Sequence, residues 1–361
     1  MSLTFCLSSS YAQPGVSFVN EQQGAAASDL FGSSIDCLTD RLIVGAPGAR
    51  ASGLNGVGGV AIFDVIAQSN LGTLQVPSNL LSMTRGADKF GGVVSSIDDV
   101  NGDMSPDVLI SAPGAFNGRG VTLVYTATGL LPSVAQAGSV ANENLGFDLE
   151  SLGDIQGNST IEYAAGAPNR PFSTAPAGAI QIIEADPNAT SNIVIATVQS
   201  SVDFEEFGSA LARVGDQNSD NRPELIVAAP GANNGMGRVY VYSTAISSMT
   251  LSSLHTFNGN TANQKLGAAV SDAGDADGDG RPEFAVGDPG ADTGSINNHG
   301  AVYIYQYNGG TSCSLLATLL PSTLVSDYAF GIALPKNGCD FNRDLLPDLA
   351  LGTLSDQNGT N

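Results

Sequence analysis

The stretch LGAAVSDAGDADGDGRPEFAVGDPGAD, Leu266 to Asp292, holds three landmarks in a fixed order: a Leu-Gly pair, a turn with four acidic side chains in nine residues, and a Gly-Asp-Pro-Gly-Ala loop. The order recurs along the chain. An aromatic or Leu followed by Gly stands at Phe31-Gly32, Phe90-Gly91, Leu145-Gly146, Phe207-Gly208, Leu266-Gly267 and Phe330-Gly331, at spacings of 59, 55, 62, 59 and 64 residues. A Gly-Ala-Pro-like loop follows each of the first five, at Val44 to Ala49, Ser111 to Ala115, Gly166 to Pro168, Ala228 to Ala232 and Gly287 to Ala291, and survives in the sixth only as Leu351 to Thr353. A strand of alternating apolar residues comes next: GGVAIFDV from Gly58, GVTLVYT from Gly120, GAIQIIE from Gly178, GRVYVYS from Gly237 and GAVYIYQ from Gly300.

Each period therefore reads strand, acidic turn, strand, Gly-rich loop, strand and a looser fourth strand such as Leu254 to Phe257. One four-stranded sheet cannot bury both of its faces, whereas repeated sheets stacked in a ring can, so the chain is expected to be all-β, a β-propeller of four-stranded blades. A linear β-solenoid has shorter rungs, and a sandwich of unrelated strands would not repeat. Residues 1–361 are read as one propeller domain, with repeats starting near 31, 90, 145, 207, 266 and 330. The sixth repeat supplies two strands before Asn361, and residues 1–30 hold two strand-like runs, Leu3 to Ser8 and Val16 to Asn20. Joined in one blade, the two ends would close a ring of six blades and leave no open edge; seven blades would need a longer chain.

Within the opening stretch, Asp275, Asp277 and Asp279 occupy positions one, three and five of the turn, Gly280 allows a sharp bend, and Glu283 falls at position nine. That spacing lets three side chains converge while the Arg281 carbonyl at position seven and the late carboxylate complete a shell of oxygens, which suits Ca²⁺ better than the smaller, octahedral Mg²⁺. The pattern returns as Asp99, Asn101, Asp103 and Asp107 in repeat two, Asp216, Asn218, Asp220 and Glu224 in repeat four, and Asp340, Asn342, Asp344 and Asp348 in repeat six. Repeat three reads Asp154, Gln156, Asn158 and Glu162, too little charge for an ion, and repeat one has only Cys37 to Asp40, too short to wrap one. An EF-hand would need flanking helices and Glu at position twelve, where Val286 stands in a strand. Simple Asp-rich turns would not call for an acid at the ninth position four times.

Phe-Gly, the DxDxDG turn and Gly-Ala-Pro, in this order and at this period from Phe31 to Gly352, resemble the FG-GAP repeats of the integrin α-subunit N-terminal propeller. The resemblance implies calcium held between the first two strands of several blades. It carries Asp275, Asp277, Asp279, Arg281 and Glu283 over as ligands in repeat five, and the matching positions of repeats two, four and six likewise, including the carbonyls of Ser105, Arg222 and Leu346. About four Ca²⁺ sites follow, at loops that stiffen the blades away from the ligand-binding face. The family further implies an adhesion or binding module whose loops, such as Gly231 to Gly237 and Gly290 to Gly300, meet a protein or glycan partner on a cell surface or matrix.

Composition narrows the alternatives. Gly 44 and Pro 17 suit short strands and tight turns, and a formal charge of -22 opposes binding to nucleic acid or an anionic membrane surface. The four full loops hold 13 of the 35 acids, so four Ca²⁺ would bring the charge to -14. No run approaches the ~20 apolar residues of a spanning helix, and no export signal is expected within the chain, because Leu3 to Leu7 is short and the first basic residue is Arg41. Weak sites suffice in calcium-rich surroundings, which with the sequons at Asn158, Asn188 and Asn358 points to the extracellular side or the cell surface, as a glycoprotein. Cys6, Cys37, Cys313 and Cys339 lack CxxC spacing; of three pairings, Cys6 with Cys37 and Cys313 with Cys339 would staple the ring near its seam.

Only two histidines exist, His255 and His299, and neither stands in a recognisable catalytic motif, so no enzyme is expected. A lectin would use exposed aromatics, yet Trp is absent and the tyrosines fall in alternating strands where they should pack within blades. The alternatives to the adhesion reading are self-assembly into a surface fibre or sheath and a glycan-binding lectin.

Overall fold

A computed structural model describes residues 2–6, 18–23, 27–38, 41–50, 56–64, 69–74, 88–126, 132–186, 193–292, 296–310, 312–321, 326–336 and 351–352. Strand β1 (Ser2–Cys6) pairs antiparallel with β2 (Phe18–Gln23), close to the two runs read from the sequence. Five four-stranded antiparallel sheets follow. Repeat one forms β3 (Ile35–Leu38), β4 (Arg41–Ala46), β5 (Gly59–Asp64) and β6 (Ser69–Leu74); repeat two forms β7 (Val94–Ile97), β8 (Asp107–Ser111), β9 (Val121–Tyr125) and β10 (Pro132–Ala137). Repeat three gives β11 (Leu149–Gly153), β12 (Ile161–Ala167), β13 (Ala179–Ala185) and β14 (Ile193–Gln199). Repeat four gives β15 (Ala210–Val214), β16 (Glu224–Ala229), β17 (Arg238–Ser247) and β18 (Thr250–Asn258), and repeat five β19 (Val270–Gly274), β20 (Glu283–Asp288), β21 (Ala301–Tyr307) and β22 (Cys313–Leu319). Of repeat six, the described residues show a bridge between Ala333 and Gly352, while residues 337–350 lie outside them.

The recurring Phe-Gly pair joins neighbouring sheets. Its aromatic or Leu amide donates to the carbonyl just before the Gly that opens the preceding third strand: Phe90 to Val57, Leu145 to Arg119, Phe207 to Ala177, Leu266 to Met236 and Phe330 to His299, at 2.9–3.1 Å. Its own Gly donates across to the end of the second strand, Gly91 to Ser111, Gly208 to Ala228 and Gly267 to Gly287, at 2.8–2.9 Å. Space explains the glycine opening each third strand. At Gly237, with φ of +88°, a Cβ would lie 2.2 Å from the Leu266 carbonyl oxygen.

By its contacts the chain divides into two compact units, Met1–Leu149 with Ala185–Asn192 and Phe341–Asp344, and Glu150–Glu184 with Ile193–Asp340 and Leu345–Asn361. In the first, Ile43, Val60 and Leu74 of sheet one share a core with Phe90, Ile110 and Leu123 of repeat two. In the second, Leu152, Ile180 and Ala196 of sheet three pack on Leu211, Leu225 and Val227 of sheet four, and Ala212, Ile226 and Val241 on Phe284 and Val286 of sheet five. Central strands β8, β16 and β20 are buried along their whole length, whereas β22 keeps exposed positions, as expected when adjoining sheets cover the middle of each sheet.

The tyrosines pack within the sheets, Tyr240 stacked on Tyr242 at 5.9 Å and Tyr305 against Phe257 at 4.4 Å. Burial pushes the Tyr240 and Tyr303 hydroxyls up to about 12. Both cysteine expectations fail: no disulfide is made by Cys37 or Cys313, so neither the pairing of Cys6 with Cys37 nor that of Cys313 with Cys339 is formed. The Cys313 sulfur is instead half-buried against the shared core of sheets four and five, which pushes its pKa up to about 12. Cys339 and the Cys6 side chain lie outside the described residues. The loop from Gly231 to Gly237 has a fixed local fold: Asn233 and Asn234 are left-handed, with Gly235 and Gly237 amides donating to Gly231 and Ala232 at 3.1 and 3.0 Å. Among the described residues no helix is long and apolar enough to cross a membrane.

Candidate metal centre

The acidic turns of repeats two to five, here loops two to five, share one backbone design. Position one caps the turn with its carboxylate: Asp99 accepts from Gly102 and Met104 at 2.7 and 2.6 Å, Asp154 from Gly157 and Ser159 at 2.6 and 2.8 Å, Asp216 from Ser219 and Asn221 at 2.7 Å each, and Asp275 from Gly278 and Gly280 at 2.8 and 2.9 Å. Both donor positions turn left-handed, at Gly278 and Gly280 in loop five and at Ser219 and Asn221 in loop four, so two residues rather than the expected Gly280 alone make the bend. Position nine is fully buried at the start of the second strand, where it accepts the amide of position two: Asp107 from Val100 at 3.0 Å, Glu162 from Ile155 at 2.9 Å, Glu224 from Gln217 at 2.5 Å and Glu283 from Ala276 at 2.6 Å. A carboxylate can cap so many amides because each oxygen carries two lone pairs.

The loops differ in how much charge they bring together. In loop five, one oxygen from each of Asp275, Asp277, Asp279 and Glu283 lies within 4.8 Å of the others, and in loop four the same holds for Asp216, Asp220 and Glu224. Glu224 is pushed up to about 8, first by burial and then by the neighbouring charges of Asp220 and Asp216, and Glu283 is raised by burial and by Asp277. Loop two, with Asp99, Asn101, Asp103 and Asp107, folds alike but is not among these groups; there the Asn101 amide donates to Asp103 at 3.1 Å. Ser105, Arg222 and Arg281, at position seven, donate their amides to the position-five carboxylate of their own loop at 2.9–3.0 Å. Asp340, Asn342, Asp344, Leu346 and Asp348 of repeat six lie outside the described residues.

Loop three satisfies itself. The Gln156 amide donates to Glu162 at 3.2 Å, and the single hydrogen of the Thr160 hydroxyl is shared between Asn158 at 2.6 Å and Glu162 at 3.1 Å. Burial works upward on Asp154, yet the amides of Ser159, Asn158, Gly157 and Gln156 outweigh it and hold the carboxyl below its usual value. The sequon residue Asn158 is exposed at this turn, while Asn188 and Asn358 lie outside the described residues.

Two sets of polar residues went unread in the sequence. The last residue of each third-strand motif points to the loop: Gln306 donates to Asp279 and Glu283, Ser243 to Asp220, and Glu184 accepts from Gln156. The motifs of repeats two to five, as quoted above, end in a polar residue, which was the available signal. The second set precedes Phe-Gly by two residues, at Asp29, Asp88, Glu143, Glu205 and Gln264, all buried. Glu205 accepts from Arg238 at 2.8 Å and from Tyr240 at 2.5 Å. Gln264 instead donates to Asp288, which replaces the Ala of the other four Gly-Ala-Pro loops. Asp288 is buried beside the Tyr303 hydroxyl, and its pKa is pushed up to about 7, chiefly by burial. His299 is buried with Nδ1 2.6 Å from the Gly300 carbonyl, and His255 packs edge-on against Phe257.

Comparison with known proteins places this arrangement. Integrin alpha-E of Mus musculus is 29% identical over 260 residues, covering 68% of this chain and 22% of that protein. Integrin alpha-6 of Gallus gallus is 29% identical over 220 residues (60% and 19%), and integrin alpha-7 of Homo sapiens 30% over 235 residues (61% and 18%). The chain is similar to integrin α-subunits. It spans about a fifth of the length of these curated relatives. No family model matches it.

Proposed function

We propose that the chain is a calcium-stabilised FG-GAP β-propeller that serves outside the cell or at its surface as an adhesion or protein-binding module. The observation that carries this reading is the similarity to integrin α-subunits over up to 70% of the chain, laid on five successive four-stranded sheets. Six blades are favoured, or seven in a longer chain.

The donor set fits Ca²⁺. The carboxylates of loops four and five offer only oxygen, and Glu224 and Glu283, raised first by burial and then by the neighbouring carboxylates, gain a counter-charge when a divalent cation binds. In this reading Asp275, Asp277, Asp279, the Arg281 carbonyl and Glu283 hold the ion in loop five, and Asp216, Asn218, Asp220, the Arg222 carbonyl and Glu224 hold it in loop four. Asp99, Asn101, Asp103, Ser105 and Asp107, and Asp340, Asn342, Asp344, Leu346 and Asp348, make the other two sites. Bound calcium supplies positive charge and ties the first two strands together; no chemistry on a substrate is assigned to it.

The test is adhesion itself. Beads coated with the purified chain should retain cells or a purified matrix protein in calcium and release them in a chelator, and the double variant Asp275→Asn/Asp277→Asn should bind more weakly. Retention that ignores calcium, binding only to glycans, or association only with copies of the same chain would overturn the reading.

A further inference from the structure

We propose that Gln306 is a positioning residue for the loop-five cation site, and that it is what allows loop five to carry an acid at position three. The inference rests on the calcium reading above and concerns a side chain outside the acidic turn. Gln306 stands near the end of β21, buried, and its Nε2 donates to Asp279 Oδ2 at 2.9 Å and to Glu283 Oε1 at 3.0 Å. One amide nitrogen, with a hydrogen for each, thus bridges the carboxylates of positions five and nine.

Each described loop has a side-chain amide on at least one of its carboxylates, and its source differs. In loop two it is Asn101, donating to Asp103; in loop three Gln156, donating to Glu162; in loop four Asn218, donating to Glu224. All three stand at position three of the turn. Loop five has Asp277 there, a carboxylate that donates nothing, and the amide arrives instead from the third strand. At the matching strand position loop four has Ser243, whose hydroxyl reaches only Asp220, at 3.3 Å, and loop three has Glu184, an acceptor. Moving the donor from the turn to the strand frees position three for a fourth negative charge.

The donor is neutral, and that matters. A Lys or Arg at this place would pair with the carboxylates and cancel the field that draws a cation. The amide instead fixes two oxygens by one lone pair each and leaves the others, with the charge, to the ion. Residues that hold ligands in this way typically set metal affinity by about 10- to 100-fold.

The test follows the glycine amides of the intact chain, labelled with ¹⁵N-glycine, through a titration with CaCl₂. Gly278 and Gly280 report on loop five and Gly102 on loop two. Gln306→Met, which keeps length and bulk without the amide, should raise the half-saturation concentration read at Gly278 and Gly280 about tenfold or more and leave that of Gly102 unchanged. Gln306→Ala should do the same, so misfolding of either variant does not remove the test. An unchanged half-saturation in a folded variant, even with a lower unfolding temperature in chelator, would show that Gln306 merely holds the sheet together and would overturn the proposal. No response of Gly278 and Gly280 in the unsubstituted chain would overturn the calcium reading of loop five first, and is told apart by needing no variant.

Discussion

Loops three and five have the same backbone and opposite electrostatics. In both, an Asp at position one caps the turn and a buried Glu at position nine receives the amide of position two. Loop three meets its buried Glu162 with neutral donors, Gln156 and Thr160. Loop five crowds four carboxylates within 4.8 Å and has one neutral amide to steady two of them. The difference teaches that the turn is a property of the backbone caps, and that the crowding of carboxylates is an addition made by two or three side chains. The same two repeats differ again at the Gly-Ala-Pro landmark, where Ala167 is apolar and Asp288 is a buried acid.

The largest expected effect is removal of calcium. At a free concentration of 100 times Kd each filled site adds about 2.7 kcal/mol to stability. In chelator, then, the unfolding temperature should fall and hydrogen exchange at the Gly278 and Gly280 amides should quicken, while Gly157 and Ser159 keep their rates. Equal quickening in both loops would erase the distinction drawn between them.

Conversion of loop three comes next. Gln156→Asp with Asn158→Asp would give it acids at positions one, three, five and nine, at the cost of the amide on Glu162 and Glu184. The variant should be less stable in chelator by about 1–3 kcal/mol and recover in calcium, as chemical denaturation would show. Loss without recovery would mean that the carboxylate pattern is insufficient to make a site.

A pH effect tests the second difference between these repeats. The folded-state pKa of Asp288, about 7, lies above its ordinary value of 3.8, so between them the folded chain binds more protons than the unfolded one. Its contribution to stability is therefore present below the unfolded value and is lost as pH rises through about 7. Asp288→Ala, which copies the other repeats, should flatten that slope and stabilise the chain at pH 8 by about 1–3 kcal/mol, read from denaturation at several pH values. An unaltered slope would assign the pH dependence elsewhere. Smallest is Thr160→Val, which removes one donor from Glu162 and should cost about 1 kcal/mol equally with and without calcium.

Much of this was legible in the sequence because the repeat writes the same geometry several times. Phe-Gly could be seen to recur, and the structure gives the reason: the pair bonds simultaneously to the preceding third strand and to its own second strand. Positions one, three, five and nine of the acidic turn could be read from spacing, since caps and ligands lie within one short loop. Gln306 could not, because it is 23 residues from Glu283 and meets it only through the register of β20 with β21. Asp288 and Gln264 were hidden for the same reason, each looking ordinary until the sheet brings them together. The pairing of Cys313 with Cys339 failed because sequence neighbourhood was taken for proximity, while packing turns Cys313 toward the core of sheets four and five.

The most direct measurement is a calcium titration of the unsubstituted chain followed at the ¹⁵N-glycine amides. The account predicts that Gly278 and Gly280 shift and saturate while Gly157 stays where it is. Movement of Gly157 in step with them, or no movement at either loop, would contradict it.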